Sequence, residues 1–459
     1  MPSDRSPHHP ETTAGATGTA DERASLPYSV PFGEGEVRFA MPPGVRGSVV
    51  TSSAREALAD PAGAAERAIG APLGSPALGE LARGARSVVI AITDATRACP
   101  DHLLVPPMLA ALAGAGVPDT AITFVVAVGT HRPSTPAERV AKLGAEIARR
   151  YRVVDHDAGD DGGLVTVMEG PGGVPFRVNR LVMGADLVLS TGVVEPHQYA
   201  GFSGGGKTVA IGCADEATIA YTHGPAMLDQ LGTRLARLDG NPFQAAVREV
   251  ARRAGVRFVA NAVLDDAGRP VAIAYGAPES VHDQLAAFAA GMVTVGIRDQ
   301  VDIAVAGVGA PKDANLYQAS RAATYLQYAP TPVVRPGGVL IIPARCQEGA
   351  GDGVGERRFL AAMRDPGGPA AIVARIRRDG ILPGEQRAYI VARMLEDVRV
   401  AVVGAEDEAM VRSVGMAAFG DMAAALAWAA GEVGVGPGRE AVCLVVPHAL
   451  HTLPVVGKM

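Results

Sequence analysis

Eight short runs of Val, Ile, Leu and Ala hold almost no polar residues: SVVIAIT (87–93), AITFVVAV (121–128), DLVLSTGVV (186–194), RFVANAVL (257–264), VDIAVAG (301–307), GGVLIIPA (337–344), VRVAVVG (398–404) and AVCLVVP (441–447). A strand with one wetted face alternates polar and apolar residues. These runs do not, so both faces of their sheets have to be covered. Stretches with helical periodicity lie between them, among them DHLLVPPMLAALAGAG, PAERVAKLGAEIARR and FQAAVREVARRAG. The pattern predicts an α/β architecture. With 459 residues the chain is about two or three times the usual size of one domain, so two α/β domains are expected.

Composition narrows what such a chain can do. Apolar residues make up 48%, yet no uninterrupted apolar run approaches the roughly 18 residues that cross a bilayer, which excludes a membrane-spanning protein. Residues 1–25 are polar, rich in Pro, Thr, Ala and Gly, and read as a disordered tail without the apolar stretch of a secretory signal. The 42 basic and 48 acidic residues give a net charge of −6, without the concentrated positive charge of a nucleic-acid binder. Four cysteines stand far apart with no CxxC, which argues against a disulfide framework or a Cys-rich zinc module. A cytoplasmic protein that binds neither membrane nor nucleic acid is expected. Only four of the basic residues are lysines: Lys142, Lys207, Lys312 and Lys458. A lysine retained in a motif, where arginine has taken nearly every other basic position, points to chemistry that a guanidinium cannot perform. An amine can lose its proton and become a nucleophile.

In α/β sheets ligands bind beyond the carboxyl ends of strands. Asp94-Ala95-Thr96-Arg97 follows the first run, and Gly129-Thr130-His131-Arg132 the second. Glu195-Pro196-His197-Gln198-Tyr199 follows the third and leads into Gly201-Phe202-Ser203-Gly204-Gly205-Gly206-Lys207. Lys312 follows the fifth, with Tyr317, Gln318 and Arg321 beyond it. One such group is more often a helix cap than a site. Four strand ends together favour a site.

The segment GFSGGGKT (201–208) satisfies the phosphate-loop pattern GxxxxGK[ST] by letter. A true phosphate loop follows a strand directly and opens a helix. Here EPHQYA intervenes on one side, and TVAIGC reaches Gly212 within a turn on the other. A P-loop NTPase is therefore the lesser alternative. The stronger reading makes Lys207 a covalent attachment point, with glycines admitting a bulky ligand to close backbone approach. Sixteen residues on, His223 offers an imidazole suited to nickel, copper or zinc, although a lone histidine there reads as a helix-end residue bonded to a carbonyl.

Together TDATR, GTHRP, HQYAGFSGGGK, His223 and PKDANLYQ resemble the nickel-dependent lactate racemase family, with weaker similarity in QEGAGDG (347–353) and EQRAYIVARMLE (385–396). The resemblance implies a racemase or epimerase of a 2-hydroxy acid, working by reversible proton-coupled hydride transfer through a 2-keto acid. It implies a nickel-pincer nucleotide joined as a thioamide to Lys207, with Ser203, Gly204, Gly205 and Lys312 around it and His223 completing the nickel site. Dedicated biosynthesis enzymes would supply that cofactor. His131 and His197 map onto the acid–base pair, and Asp94 and Arg97 onto positions beside base and substrate. Tyr317, Gln318 and Arg321 map onto substrate contacts. A planar keto intermediate needs a base for each hand, which two imidazoles can supply near neutral pH. The planar fork of Arg97 suits a carboxylate. Three positions depart from the family pattern: Arg321 replaces a common lysine, Ile211-Gly212 replaces Pro-Gly, and the single tryptophan, Trp428, lies in an Ala-rich stretch. Arg97 with Arg321 leaves room for a larger substrate or an extra carboxylate. A cofactor carrier without turnover is the other alternative. In domain terms, residues 26–270 form the cofactor-binding domain and 271–435 the C-terminal domain, with the site in the cleft between them. Residues 436–459 are expected to return to the first domain.

Overall fold

The computed structural model describes residues 27–382 and 384–457, so the expected tail lies outside the described residues. Two six-stranded sheets organise the chain. The first runs, in spatial order, Pro270–Gly276, Val256–Leu264, Leu187–Val193, Val88–Thr93, Ile122–Ala127 and Arg152–Asp155. Only Pro270–Gly276 is antiparallel to its neighbour. The second sheet is parallel throughout: Ala417–Phe419, Arg399–Val403, Val334–Pro343, Val301–Ala306, Ala441–Val446 and Val45–Val49. All eight apolar runs are strands of these sheets. Their lack of alternation has the expected cause, since every residue of Leu187–Val193 is buried. The two-domain α/β architecture follows.

Helices cover both faces. Pro242–Arg253 begins at Asn241, whose side chain accepts from Gln244 N, and has Pro at its first position. The stretch expected as one helix over 136–150 is two, Pro136–Leu143 and Ala145–Arg150. Gly144, at φ +80°, breaks it, a conformation that only glycine adopts without strain. Among the described residues no helix is long and apolar enough to cross a membrane.

The domain boundaries need correction. Residues 28–49 belong to the second domain, not the first. Val45–Val49 hydrogen-bonds along Ala441–Val446, and the hairpin of Tyr28–Phe32 with Gly35–Phe39 packs Val30 and Phe39 onto Ile303, Val305 and Ile341. The segment 436–459 stays in the second domain as well, because Ala441–Val446 lies between Val301–Ala306 and Val45–Val49. A boundary at 270/271 would cut the start of Pro270–Gly276. The helix after it, Pro278–Val293, still packs on the first sheet. The described residues therefore start in the second domain and cross between the domains twice. The two crossings touch, with Ser53 N donating to Met292 O at 3.0 Å.

Gly307 marks where the hairpin docks. A Cβ there would collide with Pro447 O and Val30 Cβ, one of them rigid backbone. Gly307→Ala should destabilise the protein by roughly 1–3 kcal/mol through overpacking, read as a lowered thermal midpoint.

Candidate active site

Loops after the strands of the first sheet, together with one residue of the second domain, enclose a cleft of about 200 Å³. Asp94, Arg97, His131, Glu195, His197, Ser203, Gly204, Lys207, His223 and Gln386 line it. Four well-separated stretches of sequence, within residues 93–97, 127–131, 192–223 and at Gln386, thus converge on one space.

Lys142 fixes the loop that carries Asp94 and Arg97. Its buried ammonium bonds Thr93 Oγ1 at 2.8 Å, Arg97 O at 3.1 Å and Cys99 O at 3.0 Å, and pairs with Asp101 Oδ2 at 2.6 Å. Asp101 is fully buried and also accepts from Thr191 Oγ1 at the end of Leu187–Val193. Thr191 O in turn accepts from Thr208 Oγ1 at 2.7 Å, beside Lys207. A compact ammonium can serve several carbonyls at close range where a broad guanidinium cannot. The retention of Lys142 was visible in the sequence, but its task is structural.

Asp94 accepts from His131 Nδ1 at 2.8 Å and from Thr96 Oγ1 at 2.9 Å. Burial pulls its carboxyl upward, but the His131 and Thr96 bonds and nearby Arg97 outweigh burial and hold it below the usual value. An ionised carboxylate only accepts, so His131 carries a proton on Nδ1, and in its neutral form the lone pair is on Nε2. His197 is held the opposite way. Its Nδ1 accepts from the backbone N–H of Tyr199 at 3.2 Å and of Ala200 at 3.1 Å, which places the neutral ring's proton on Nε2. Burial, then the charges of Lys207, His223 and Arg97, push His197 well below the ordinary histidine value.

Pro196–His197 pairs antiparallel with Gly201–Phe202, and Lys207 opens a single helical turn, Lys207–Ala210. This small hairpin is not the core-strand-to-long-helix setting that a phosphate loop needs. Gly204, at φ +88°, turns the loop along the cleft. Gly205 is not among the cleft-lining residues: its N–H donates to Asn261 Oδ1 at 2.7 Å, and a Cβ there would press on His282. Ser203 lines the cleft, although its hydroxyl is engaged by Val193 O at 2.7 Å and Glu195 N at 3.1 Å. Burial and then Arg97 bring the Lys207 amine down to about 7.

His223 Nδ1 lies 3.0 Å from Ile219 O. A carbonyl cannot donate, so Nδ1 bears the proton and Nε2 is left free as a metal ligand. Burial and Lys207 bring His223 down to about 3, which keeps it neutral. Among the described residues no group of three or more His, Cys, Asp or Glu could hold a metal, so a metal on His223 needs further ligands from a bound group. A free amine, a neutral imidazole with an open Nε2 and a glycine-lined wall fit a lysine-tethered, sulfur-bearing metal cofactor.

Lys312, Tyr317, Gln318 and Arg321 are not among the cleft-lining residues. They sit on the second domain around the start of Leu316–Gln327, with Arg321 close enough to His197 to lower its pKa. Burial and Arg321 push Lys312 down as well. Sequence reasoning singled out Lys142 and the segment 385–396 but assigned no role to Lys142, Gln386 or Arg387. Gln386 and Arg387 begin the helix Gln386–Asp397, and the similarity of that segment was the signal that could have found them.

Residues 32–234 match the lactate racemase N-terminal domain and residues 297–452 the lactate racemase C-terminal domain. The lactate racemase of Lactiplantibacillus plantarum is 34% identical over 331 residues, covering 72% of this chain and 76% of that protein. The chain belongs to the lactate racemase family. As a member it is an isomerase, a racemase. The lactate racemase of Thermoanaerobacterium thermosaccharolyticum is 30% identical over 338 residues, covering 74% of this chain and 78% of that one. The apoprotein structure from that organism superposes with a TM-score of 0.81 at 26% identity, over 93% of this chain and 99% of the other. A Thermotoga maritima protein shares the fold, with a TM-score of 0.59 at 18% identity, over 84% and 99% of the two chains.

Lys142→Met should leave Asp101 buried without its cation, destabilising this racemase by about 3–5 kcal/mol in urea unfolding. In the unloaded protein an acylating reagent should label Lys207 half-maximally near pH 7, faster as pH rises and the ammonium empties. Exposed lysines need far higher pH, and peptide mass mapping across pH separates the two.

Proposed function

We propose that this racemase interconverts the enantiomers of a 2-hydroxy acid of the lactate class, using a nickel-pincer nucleotide carried on Lys207. The observation that supports it best is the opposed locking of two imidazoles on one cleft with Lys207 and His223. When bound, such a group supplies a hydride acceptor beside a soft metal, which avoids a poorly stabilised carbanion next to a carboxylate.

The chain's own residues do the rest. Arg97 on its loop receives the substrate carboxylate through paired N–H donors. His131 Nε2 takes the hydroxyl proton, and Asp94, bonded to Nδ1, stabilises the imidazolium that forms. His197 presents Nε2–H to the substrate oxygen from the other side. To accept a proton there, the ring has to turn or release an amide bond, so the two histidines are unequal partners. Lys207 would hold the nucleotide and His223 Nε2 the nickel, with Ser203 and Gly204 along the same wall, and Lys312, Tyr317, Gln318 and Arg321 would contribute from the second domain. Either histidine, once protonated, would return the proton to the keto oxygen, so that the residues serve both hands of the product.

Co-expression with the cofactor-building enzymes, followed by peptide mass mapping and nickel analysis, tests this. A nucleotide adduct on the Lys207 peptide with one nickel per chain is expected, as is racemisation of lactate-class acids seen by chiral chromatography. Lys207→Arg should fold, lose the adduct and lose activity. Normal racemisation by that variant would rule the tether out. His131→Ala should lower kcat by at least 100-fold, the usual scale of general acid–base catalysis.

A further inference from the structure

Three buried nitrogen donors stand without an acceptor in one cluster: Arg387 Nε, Arg321 Nε and Gln198 Nε2. Arg387 is 8% exposed and Gln198 6%. Arg387 Nη1 donates to Gln198 Oε1 at 3.2 Å and to Thr324 Oγ1 at 3.1 Å. Thr324 lies on the helix of Arg321 and donates to Arg321 O at 3.1 Å. Arg321 Nη2 donates to Tyr325 Oη at 3.0 Å. The guanidinium of Arg387 lies 5.6 Å over the Tyr317 ring, and that of Arg321 5.6 Å over Tyr325. Every one of these partners is neutral. Among the described residues no ion pair joins either arginine to an acid, whereas buried charges are ordinarily paired. The unsatisfied atoms are all donors, so the missing partner is an acceptor, and two guanidinium charges select an anion.

The cluster borders the reaction cleft. Gln198 follows His197, and Gln386, which precedes Arg387, lines the cleft with Asp94, Arg97 and His131. Tyr199 lies between, its ring 5.7 Å from that of His197 and 5.6 Å from that of His223. Arg387 is the second residue of a 12-residue helix with no side-chain cap, whose first-turn amides add positive potential. Arg97 is on the opposite domain and is already matched to the carboxylate beside the reacting carbon.

Building on the racemase reading above, we propose that Arg387, with Arg321 and Gln198, recognises a second carboxylate, so that the preferred substrate is a 2-hydroxy dicarboxylic acid. The shared chemistry is an oxyanion, and the phosphate of the bound nucleotide is its other source. The position beside His197, rather than beside Lys207, favours the substrate.

The test uses the full chain loaded by co-expression with the cofactor-building enzymes, with malate and lactate as probes. The wild-type protein should racemise malate with the higher kcat/KM. Arg387→Met should lower the malate-to-lactate ratio of kcat/KM roughly 10- to 100-fold, mainly through KM, the scale of a lost charge-assisted bond. Nickel content and the Lys207 adduct should not change, and Arg387→Lys should restore part of the ratio. A ratio unchanged in Arg387→Met overturns the proposal, and so does wild-type preference for lactate. Lost adduct or nickel with an unchanged ratio assigns the cluster to the phosphate and also overturns it. Should Arg387→Met not fold, calorimetry on the unloaded wild-type chain serves instead. Malate binding at least 10-fold tighter than lactate and weakened by salt supports the site, and equal binding overturns it. A loaded protein that racemises neither acid but binds malate through Arg387 fails the racemase reading and leaves the anion site standing. Lactate racemisation with a ratio indifferent to Arg387 does the reverse.

Discussion

The buried pair of Lys142 and Asp101 holds the active-site side of the first domain in register. Lys142 gathers Arg97 O, Cys99 O and Thr93 Oγ1, while Asp101 takes Thr191 Oγ1 from the neighbouring strand. Thr191 O then anchors Thr208 beside Lys207. One ion pair thus connects the Asp94 loop to the lysine loop. Both charges are withdrawn from water, a state that is tolerable only because each ion is bonded by several further groups. The loop geometry therefore has little freedom to drift.

From that rigid base the cleft sets protonation by burial and by crowding of like charge. Lys207, Arg97 and Arg321 all act on His197, and Lys207 and Arg97 act on His223. The result is an amine that is free near neutral pH and an imidazole that stays neutral. Backbone groups then choose the tautomers: Ile219 O keeps Nε2 of His223 open, and the Tyr199 and Ala200 amides keep the proton of His197 on Nε2. His131 alone is paired with a carboxylate among these three rings. Similar side chains have become three different chemical groups through their hydrogen bonds.

The two domains meet over this cleft through a chain that crosses between them twice. The crossings are tied by Ser53 N to Met292 O, and Ser52 N bonds Thr452 Oγ1 at 3.1 Å nearby. Asp229, from the first half of the chain, receives Arg377 at 2.9 Å and Arg393 at 3.0 Å from the second. The second domain brings Gln386 into the cleft and sets Arg387 and Arg321 beside it.

The sequence by itself determined the layers and most of the first-domain wall. Uninterrupted Val and Ile runs can only be strands covered on both sides, and residues at their carboxyl ends, Asp94, His131, His197 and Lys207, share one cleft because parallel strands end on one edge. Tertiary structure decided what depends on distant partners. No local pattern tells that Val45–Val49 pairs with Ala441–Val446, since edge pairing is set by which neighbour is left unbonded after the whole sheet forms. Nor does it tell that Gly205 bonds Asn261, that Lys142 is a clamp, or that Arg387 and Arg321 share Thr324. Those roles exist only where elements from different parts of the chain exclude water together, and burial is what turns an ordinary lysine, histidine or arginine into a specific chemical group.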